Sequence, residues 1–452
     1  MTNAILVMGA SAADPKPLTP IEALGKAVFF DARLSRPRSQ QACASCHDPA
    51  RGWVLPNAQV NRTTVVAPGA APHAVGSIKT PSNAYASFSP PFASTGQIAT
   101  PFRGGNFWDG RAEGCGAVGG SCPVGEGQVS ATIRPADLPQ VKRARYRRYL
   151  GPTADQALNP FPNPVEQNIA EQQVCREVQR VRWAGLYHQA FGEKINCATV
   201  PESAPPYRTA YKRLAVALAA WQSSAEVNSF SSGRDRALAA DPDGQFPLAG
   251  LTDQENRGHD LFHGLITPLN PSGKNARCAT CHVGVPQGDK ADPARGEAPR
   301  ELFTDNSFHN IGMPYNREVP GFAAGQRVGL TSHVPNDPRG DFRGFVRTPT
   351  LRNTAKGVGS GFVRAYGHNG WFKSLAGIVH FYNTRDKLPK CETFGLTAAT
   401  EAEANARNCW PKAEFPNQTQ AIIGNLALDA DEEAALVAFL ETLSDEYTPL
   451  AP

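Results

Sequence analysis

Cys43-Ala-Ser-Cys46-His47 and Cys278-Ala-Thr-Cys281-His282 are the two stretches that decide how this chain is organised. Each has the pattern C-x-x-C-H. Two thiols on one helical turn can form thioethers with the vinyl groups of a haem, while the next residue places an imidazole on the iron. With ten Cys and ten His in 452 residues, chance would give far fewer than one such run. The sequence therefore predicts two covalent haem c groups, with His47 and His282 as iron ligands.

A structural zinc site built from the two Cys pairs and their adjoining His residues is the alternative interpretation. Zinc sites of this kind do not need a His directly after the second Cys of each pair. Both runs in this chain have one. Haem attachment is therefore the prediction, and zinc is the competing hypothesis.

Length and composition indicate two haem domains. A chain of 452 residues is long enough for two or three hydrophobic cores, and each half carries one C-x-x-C-H run. The 41 Gly and 39 Pro are spread without a period, which is typical of long ordered loops around helices. We predict a mainly α fold of two cytochrome c-like haem domains, residues 1–203 and 204–452, divided in the Pro- and Ser-rich stretch from Pro201 to Pro206.

Several segments have apolar residues at helical spacing or a clear helix start. Thr252 with Glu255 three residues later forms a capping box that begins a helix before the second C-x-x-C-H run. The other predicted helices are Pro20–Leu34, Val174–Phe191, Tyr207–Ser223 and Asp429–Leu443.

Charge and hydropathy argue against nucleic-acid binding and against a membrane span. The net charge is +4, from 45 basic and 41 acidic residues, and no basic stripe indicates nucleic-acid binding. No stretch of about 18 apolar residues predicts a membrane span. We expect neither a nucleic-acid partner nor a transmembrane segment.

The six Cys outside the haem runs indicate an oxidising compartment. They fall into three local pairs, Cys115 with Cys122, Cys175 with Cys197, and Cys391 with Cys409. Disulfides and haem c both suit the periplasm. We interpret residues 1–13 as the remnant of an export signal, with an ordinary flexible N-terminus as the alternative, and predict a periplasmic protein.

The sixth ligand of each iron decides its chemistry. A Met ligand raises the potential and makes an electron carrier, but the chain has only three Met residues, Met1, Met8 and Met313. Composition therefore argues against Met on both irons. His, Tyr or an open face remain as the possibilities.

Further motifs resemble the bacterial dihaem cytochrome c peroxidase family, which includes MauG. The resemblance runs in order from about Pro20 to Leu443, apart from an insertion at residues 113–151 and a loop around residues 387–416. The motifs that carry it are LGKAVFFD at 24–31, FWDGRA at 107–112, NPVE at 163–166, FHNIG at 308–312 and TPTLRN at 348–353.

The resemblance implies an open face on the first haem, where peroxide binds. In the family a Gln and, ten residues later, a Glu overhang this face, and Gln156 and Glu166 have that separation, with Pro160 between them. Cleavage of the O–O bond requires a proton to move from one oxygen to the other, which suits a carboxylate. The resemblance thus places Gln156, Pro160 and Glu166 in the catalytic set. It adds Trp108 as a relay between the haems, although a Trp in this context is otherwise a core residue.

For the second haem, the family places the distal ligand fourteen residues after the His of a His-x-Gly turn. His368-Asn-Gly370 leads in this way to Tyr382, where ordinary peroxidases of the family have Met and the MauG branch has Tyr. A phenolate stabilises the oxidised states of iron. Tyr382 is the predicted ligand, and His380 is its rival.

By resemblance, the first domain is a peroxide-reactive haem domain and the second an electron-transfer haem domain. Hydrogen peroxide would generate a high-valent dihaem state that oxidises a residue, such as Trp, on a periplasmic partner protein. One alternative is a peroxidase that reduces hydrogen peroxide to water with electrons from a small cytochrome or cupredoxin. Another is a non-enzymatic dihaem electron carrier.

The chain also departs from the family. MauG has a surface Trp two residues before its second haem run, and this chain has Ala276 there. Trp371, Trp53 and Trp410 are the exit residues that we predict instead. The family's calcium site between the haems uses a side chain near Thr80 that is usually Asn and is Lys79 here. Calcium is thus the further cofactor that the resemblance raises, and His73 is a possible removable ligand of the first haem.

Overall fold

A computed structural model describes residues 16–97, 100–114, 133–241, 244–283, 300–321, 323–326, 328–335, 338, 340–359 and 361–452. The described part is mainly α-helical, as predicted. Its α-helices are α1 Pro20–Phe29, α2 Cys43–Cys46, α3 Ala58–Arg62, α4 Gln140–Tyr146, α5 Pro152–Ala157, α6 Glu171–Arg180, α7 Gly185–Phe191, α8 Pro206–Gln222, α9 Gly233–Ala240, α10 Asp253–His263, α11 Leu375–Thr384, α12 Glu401–Arg407 and α13 Ala430–Glu441. Short 3₁₀ helices lie at Pro49–Arg51, Ala86–Phe88, Pro135–Asp137, Arg147–Tyr149, Cys278–Thr280, Leu330–Ser332 and Cys391–Phe394.

Two antiparallel strand pairs join loops rather than form a layer. Strand β1, Ala93–Ser94, pairs with β2, Phe102–Arg103. Strand β3, Phe308–His309, pairs with β4, Val346–Arg347. The rest of the described chain between the helices is ordered loop, so the haem-binding runs are held by helices and long loops.

Two closely packed helix pairs organise the molecule. Helix α1 packs against α8, and α10 packs against α13. Each pair meets at a glycine, because a Cβ built on Gly25 would overlap the Ala217 carbonyl and one on Gly258 would overlap the Ala435 carbonyl. The absence of a side chain lets the two backbones approach. Helix α1 precedes the first C-x-x-C-H run in the sequence, and α10 precedes the second.

The first and largest hydrophobic core surrounds α1 and α8. Its centre is a cluster of aromatic rings, in which Trp221 lies 4.7 Å from Phe29 and 5.6 Å from Trp53 between ring centroids. Helices α5, α6 and α7 close this core. The cluster supports the loop that follows the first C-x-x-C-H run, because Trp53 belongs to that loop.

The C-terminal half has two smaller cores. One joins α10 to α13 through Phe262, Phe303 and Phe439. The other packs α11 against the segment closed by the Cys391–Cys409 disulfide and contains Trp371 and Trp410. Tyr382 on α11 lies at the edge of this third core.

A buried polar network ties the first half of the chain to the second. The Tyr85 hydroxyl donates to Asp445 over 2.8 Å, and Arg352 forms an ion pair with Asp235 at 2.8 Å. Burial alone would raise the pKa of Asp235, but the Arg352 guanidinium holds that pKa below its usual range. A buried pair of this kind is costly to break, because removal of one partner leaves a charge without compensation.

Two of the three predicted disulfides are present, Cys175–Cys197 and Cys391–Cys409. The third, between Cys115 and Cys122, falls outside the described residues, as do residues 1–13. None of the helices in the described part of the chain combines the length and the apolar character that crossing a bilayer requires.

The structure corrects two sequence-based expectations. Helix α8 was assigned to the C-terminal domain by the division at residues 203 and 204, but it packs in the first core against α1. The first core also includes Val227, so a division that follows the packing lies after that residue. The helix predicted over Val174–Phe191 is two helices, α6 and α7, because Val181 takes an extended backbone between them.

The contact between α1 and α8 yields the first testable prediction. Gly25→Ala should lower the free energy of unfolding by about 1–3 kcal/mol, since the added methyl group must push the Ala217 carbonyl away. Denaturant unfolding followed by circular dichroism measures this change. Gly185→Ala is the control, because no atom lies within 4 Å of a Cβ at that position. It should be neutral or stabilising by up to about 1 kcal/mol. Equal stability of the two variants would contradict the close contact.

Candidate functional site

The first C-x-x-C-H run lies on the wall of a cavity with about 1180 Å³ of space not filled by protein atoms. Short helix α2 presents Cys43 and Cys46, and His47 follows at its C-terminal end. The residues from the run and from the predicted catalytic set that line this cavity are Cys43, Cys46, His47, Gln156, Pro160 and Glu166. The fold thus brings both sets together around one space.

A tight turn orients the His47 ring. The Trp53 carbonyl oxygen lies 3.2 Å from Nδ1 of His47, so Nδ1–H donates to it and Nε2 keeps its lone pair. Gly52 has a φ of 68° in this turn, a left-handed conformation that favours glycine. Burial lowers the pKa of His47 to about 4. The imidazole is therefore neutral and oriented, as a metal ligand must be.

Glu166 reaches the same cavity from a turn after α5. Burial raises the pKa of this carboxyl group, while a hydrogen bond from Asn163 and the charge of Arg111 act in the opposite direction. The Asn163 amide donates to Glu166 Oε1 over 2.6 Å. The Asn163 Oδ1 also accepts from the Val165 N–H at 3.2 Å, which fixes the turn. The site thus holds a desolvated carboxylate in a defined position.

The second C-x-x-C-H run lines a separate cavity, with about 1740 Å³ of unfilled space. Cys278, Cys281, His282 and Tyr382 all contribute to its wall. The Phe303 carbonyl lies 3.2 Å from Nδ1 of His282, and burial lowers the pKa of this imidazole. The arrangement of His47 with Trp53 is therefore repeated in the second half of the chain.

Tyr382 and His380 occupy different environments on α11. Tyr382 faces the second cavity, and burial raises the pKa of its hydroxyl well above the usual range. His380 does not line this cavity, and its Nδ1 lies 3.0 Å from Glu433. The hydrogen bond to Glu433 raises the pKa of His380. Of these two residues, Tyr382 is the one that faces the second cavity, which Met313 also lines.

The two cavities share a wall formed by Lys79, Pro81 and Phe107, which line both of them. Trp108 lines the second cavity and donates from its indole Nε1 to the Lys79 carbonyl over 2.8 Å. The indole is thus held at the boundary between the two sites. This position agrees with the relay role that the resemblance implies.

The residues present fit haem c better than zinc. The two Cys pairs line different cavities, so they do not form one zinc site. Within the described residues, the group that could hold a metal ion consists of Cys281, Asp305 and His309. It uses one Cys of the second run and none of the first. Paired thiols beside a neutral imidazole, each set at the edge of a large cavity, suit covalent haem.

Sequence reasoning missed two residues of the first site. Asn163 and Arg111 both line the first cavity with Glu166, and Arg111 stacks on the Phe107 ring at 4.0 Å. Both belong to motifs that we quoted for the resemblance, NPVE and FWDGRA. Their role could not be read from those motifs, because it depends on which side chains face Glu166 in three dimensions.

The predicted surface exit residues are not on the surface. Trp371 and Trp410 are each 1% exposed, and Trp53 is 2% exposed. The expectation of an exposed Trp at one of these positions is therefore wrong. Their rings complete hydrophobic cores, which is the usual place of a Trp. His73 is exposed on a loop and does not line the first cavity, so the structure does not support it as a ligand.

Lys79 stands at the position considered for calcium. Its side chain is buried, and its Nζ donates to the Thr80 carbonyl over 3.1 Å. This bond already occupies the Thr80 carbonyl oxygen, and carbonyl oxygens are among the ligands that calcium takes in proteins. A buried ammonium group beside that carbonyl disfavours a divalent cation.

Comparisons with known proteins agree with this geometry. The sequence model of the family described as di-haem cytochrome c peroxidase matches residues 20–243. The chain is 30% identical over 441 residues to the methylamine utilization protein MauG of Paracoccus denitrificans, covering 95% of this chain and 90% of that protein. It is 26% identical over 381 residues to the MauG of Methylorubrum extorquens, covering 82% of this chain and 72% of that protein.

Two solved structures are similar over nearly the whole chain. The diheme peroxidase BthA from Burkholderia thailandensis has a TM-score of 0.62 at 26% identity, covering 97% of this chain and 89% of that one. A MauG-like protein associated with microbial copper homeostasis has a TM-score of 0.57 at 20% identity, covering 98% and 96%. The second likeness concerns the fold alone.

The different environments of Tyr382 and His380 give the second prediction. Tyr382→Phe should change the spectrum of one ferric haem, because it removes the oxygen that faces the second cavity. Electron paramagnetic resonance of the ferric protein measures this change. His380→Gln is the control on the same helix and should leave the spectrum as in the wild type. The reverse outcome, in which only His380→Gln alters the spectrum, would assign the ligand to His380.

Proposed function

This chain belongs to the di-haem cytochrome c peroxidase family, and from that premise we propose that it uses hydrogen peroxide to oxidise a residue, such as Trp, on a periplasmic partner protein. It is a peroxidase-type oxidoreductase with two haem cofactors. The observation that carries the proposal is the position of Tyr382 on the wall of the second haem cavity, at the place in the family motif where ordinary peroxidases have Met; Met313 lines the same cavity. The two disulfides support an oxidising compartment such as the periplasm.

The residues that would hold the haems are Cys43, Cys46 and His47 in the first cavity and Cys278, Cys281, His282 and Tyr382 in the second. Bound haem iron would supply the reaction with peroxide and the storage of oxidising equivalents. The backbone carbonyls of Trp53 and Phe303 keep each imidazole in the tautomer that leaves Nε2 free. The protein thus sets the orientation and basicity of both ligands.

Glu166 is the residue that we assign to proton movement. Peroxide cleavage needs a group that accepts a proton from one oxygen and returns it to the other. Glu166 is desolvated and yet held ionisable by Asn163 and Arg111. Gln156 and Pro160 line the same cavity and would position the peroxide, Gln156 by hydrogen bonding and Pro160 by shape.

Trp108 is the residue that we assign to sharing oxidation between the two sites. Its ring lines the second cavity, and its Nε1–H is fixed by the Lys79 carbonyl in the shared wall. An amide carbonyl is a very weak base and would not remove the indole proton. Trp108 would therefore keep its proton, so an electron could leave and return without a proton transfer.

Tyr382 is the residue that leads us to propose protein oxidation in place of simple peroxide removal. An anionic oxygen ligand favours the oxidised states of iron and therefore the retention of oxidising equivalents until a partner arrives. A peroxidase that takes electrons from a small cytochrome or cupredoxin would instead benefit from a site that is easily reduced. The buried environment of Tyr382 would favour a phenolate only when a cation such as iron is bound, since burial raises its pKa.

The third prediction tests this function directly. Protein matured in a periplasm should exceed its polypeptide mass by two haem masses. Mixing it with hydrogen peroxide and proteins from the same periplasm should add oxygen to one partner, as intact-mass and peptide mass spectrometry would show. Tyr382→Met is the matched variant and should favour turnover with a reduced cytochrome. Fast turnover of the wild type with that donor, with no modified partner, would favour the peroxidase alternative. Failure to react with peroxide would indicate an electron carrier.

The environment of Glu166 gives the fourth prediction. Glu166→Gln should slow the reaction with peroxide by about 10²- to 10⁴-fold, the usual contribution of a general acid–base group. Asn163→Ala should instead raise the pKa of Glu166, because the carboxylate loses its donor. The rate then rises with pH over a higher pH range than in the wild type, as stopped-flow measurements across pH would show.

A second variant controls for the shape of the turn. Asn163→Asp keeps the oxygen that accepts from the Val165 N–H but replaces the amide donor with a carboxylate. It should raise the pKa of Glu166 further than Asn163→Ala does. A pH profile that is unchanged in both variants would show that Glu166 is not the group that governs this reaction.

A further inference from the structure

Lys79 is a buried basic residue at the boundary of the two cavities. Lys79 is 8% exposed to solvent, and its Nζ donates to the Thr80 carbonyl over 3.1 Å. Across the described ranges of the chain, no Asp or Glu forms an ion pair with it. Burial, together with the nearby charge of Arg364, lowers the pKa of Lys79 to about 7. A charge in such a place is costly unless an anion compensates it.

The position of Lys79 relates it to both cavities. Its side chain belongs to the wall that they share. Its N–H donates to the His368 carbonyl over 3.1 Å, and its own carbonyl accepts from the Trp108 indole. The Nζ lies 5.7 Å from the centroid of the Trp108 ring. Lys79 therefore contacts the relay tryptophan and lies at the boundary of both cavities.

Two further cations face the second cavity in the same way. Arg364 donates to the carbonyls of Asn353 and Arg51, and Arg347 donates to the Asn306 side-chain oxygen. Neither forms an ion pair with a carboxylate of the described residues. Burial lowers the pKa of both guanidinium groups. Lys79, Arg347 and Arg364 thus bring positive charge to the lining of the second cavity, which suits a ligand that brings carboxylates, as haem does with its propionate groups.

We propose that Lys79 is a positioning residue whose ammonium group pairs with a haem carboxylate at the shared wall, raises the reduction potential of both haems and opposes oxidation of Trp108. This inference rests on the proposed function, since it requires haem in both cavities. A nearby cation stabilises the reduced iron, which carries one positive charge fewer than the oxidised iron. The same charge over the indole face disfavours removal of an electron from the ring.

The experiment compares the midpoint potentials of both haems by spectroelectrochemical titration. Lys79→Gln keeps a donor for the Thr80 carbonyl but removes the charge, Lys79→Met removes both, and Lys79→Arg keeps the charge. The control is Lys356→Met, because Lys356 is also 8% exposed and donates to one carbonyl, that of Tyr447, but lines neither cavity.

The proposal expects lower potentials of both haems in Lys79→Gln and Lys79→Met, and potentials near those of the wild type in Lys79→Arg and Lys356→Met. Loss of haem in both neutral variants with retention in Lys79→Arg would equally support the need for charge. Unchanged potentials in the neutral variants would overturn it, as would an equal effect of Lys79→Arg. A wild type that carries no haem would instead refute the proposed function.

Discussion

A buried imidazole whose Nδ1 is fixed by a backbone carbonyl is the interaction on which both halves of this molecule depend. His47 is held by the carbonyl of Trp53, and His282 by that of Phe303. Trp53 lies in the turn directly after the first C-x-x-C-H run, whereas Phe303 lies 21 residues after His282 in the sequence. The burial that keeps the rings neutral comes from the hydrophobic cores in which Trp53 and Phe303 are themselves buried. The packing that buries each imidazole therefore also holds the carbonyl that orients it.

One short backbone segment makes several contacts where the two sites meet. The backbone at Lys79 gives its carbonyl to Trp108 and its N–H to His368, so one peptide segment connects the relay tryptophan with the turn that precedes α11. The buried hydrogen bond from Tyr85 to Asp445 also crosses between the halves. Rigid connections across this boundary would keep the two cavities at a fixed separation, which electron sharing between them requires.

The buried tryptophans change how oxidation could leave the protein. Trp371 and Trp410 lie 6.0 Å apart in the third core, and Trp410 is 5.2 Å from Phe381, next to Tyr382. They can serve as inner steps of a route but not as its surface end. A sequence cannot distinguish these cases, because exposure of a Trp depends on segments far along the chain. Here, the disulfide-closed loop of Cys391 and Cys409 covers both rings.

The sequence by itself determined the features that depend on local spacing. The two C-x-x-C-H runs, the cap at Thr252 and the pairing of Cys175 with Cys197 and Cys391 with Cys409 need only nearby residues, and the structure agrees with each. The order of motifs identified the family, and through it the site residues that now line the two cavities.

Only the tertiary structure decided what depends on residues distant in sequence. It placed α8 in the first core, because the helix pairs with α1 across a glycine contact that no local pattern reveals. It turned Tyr382 toward the second cavity and His380 toward Glu433. It also brought Asn163 and Arg111 to Glu166, and Lys79 to the wall between the sites. The electrostatics of a buried group follow from every element packed around it, and these elements come together only in the folded chain.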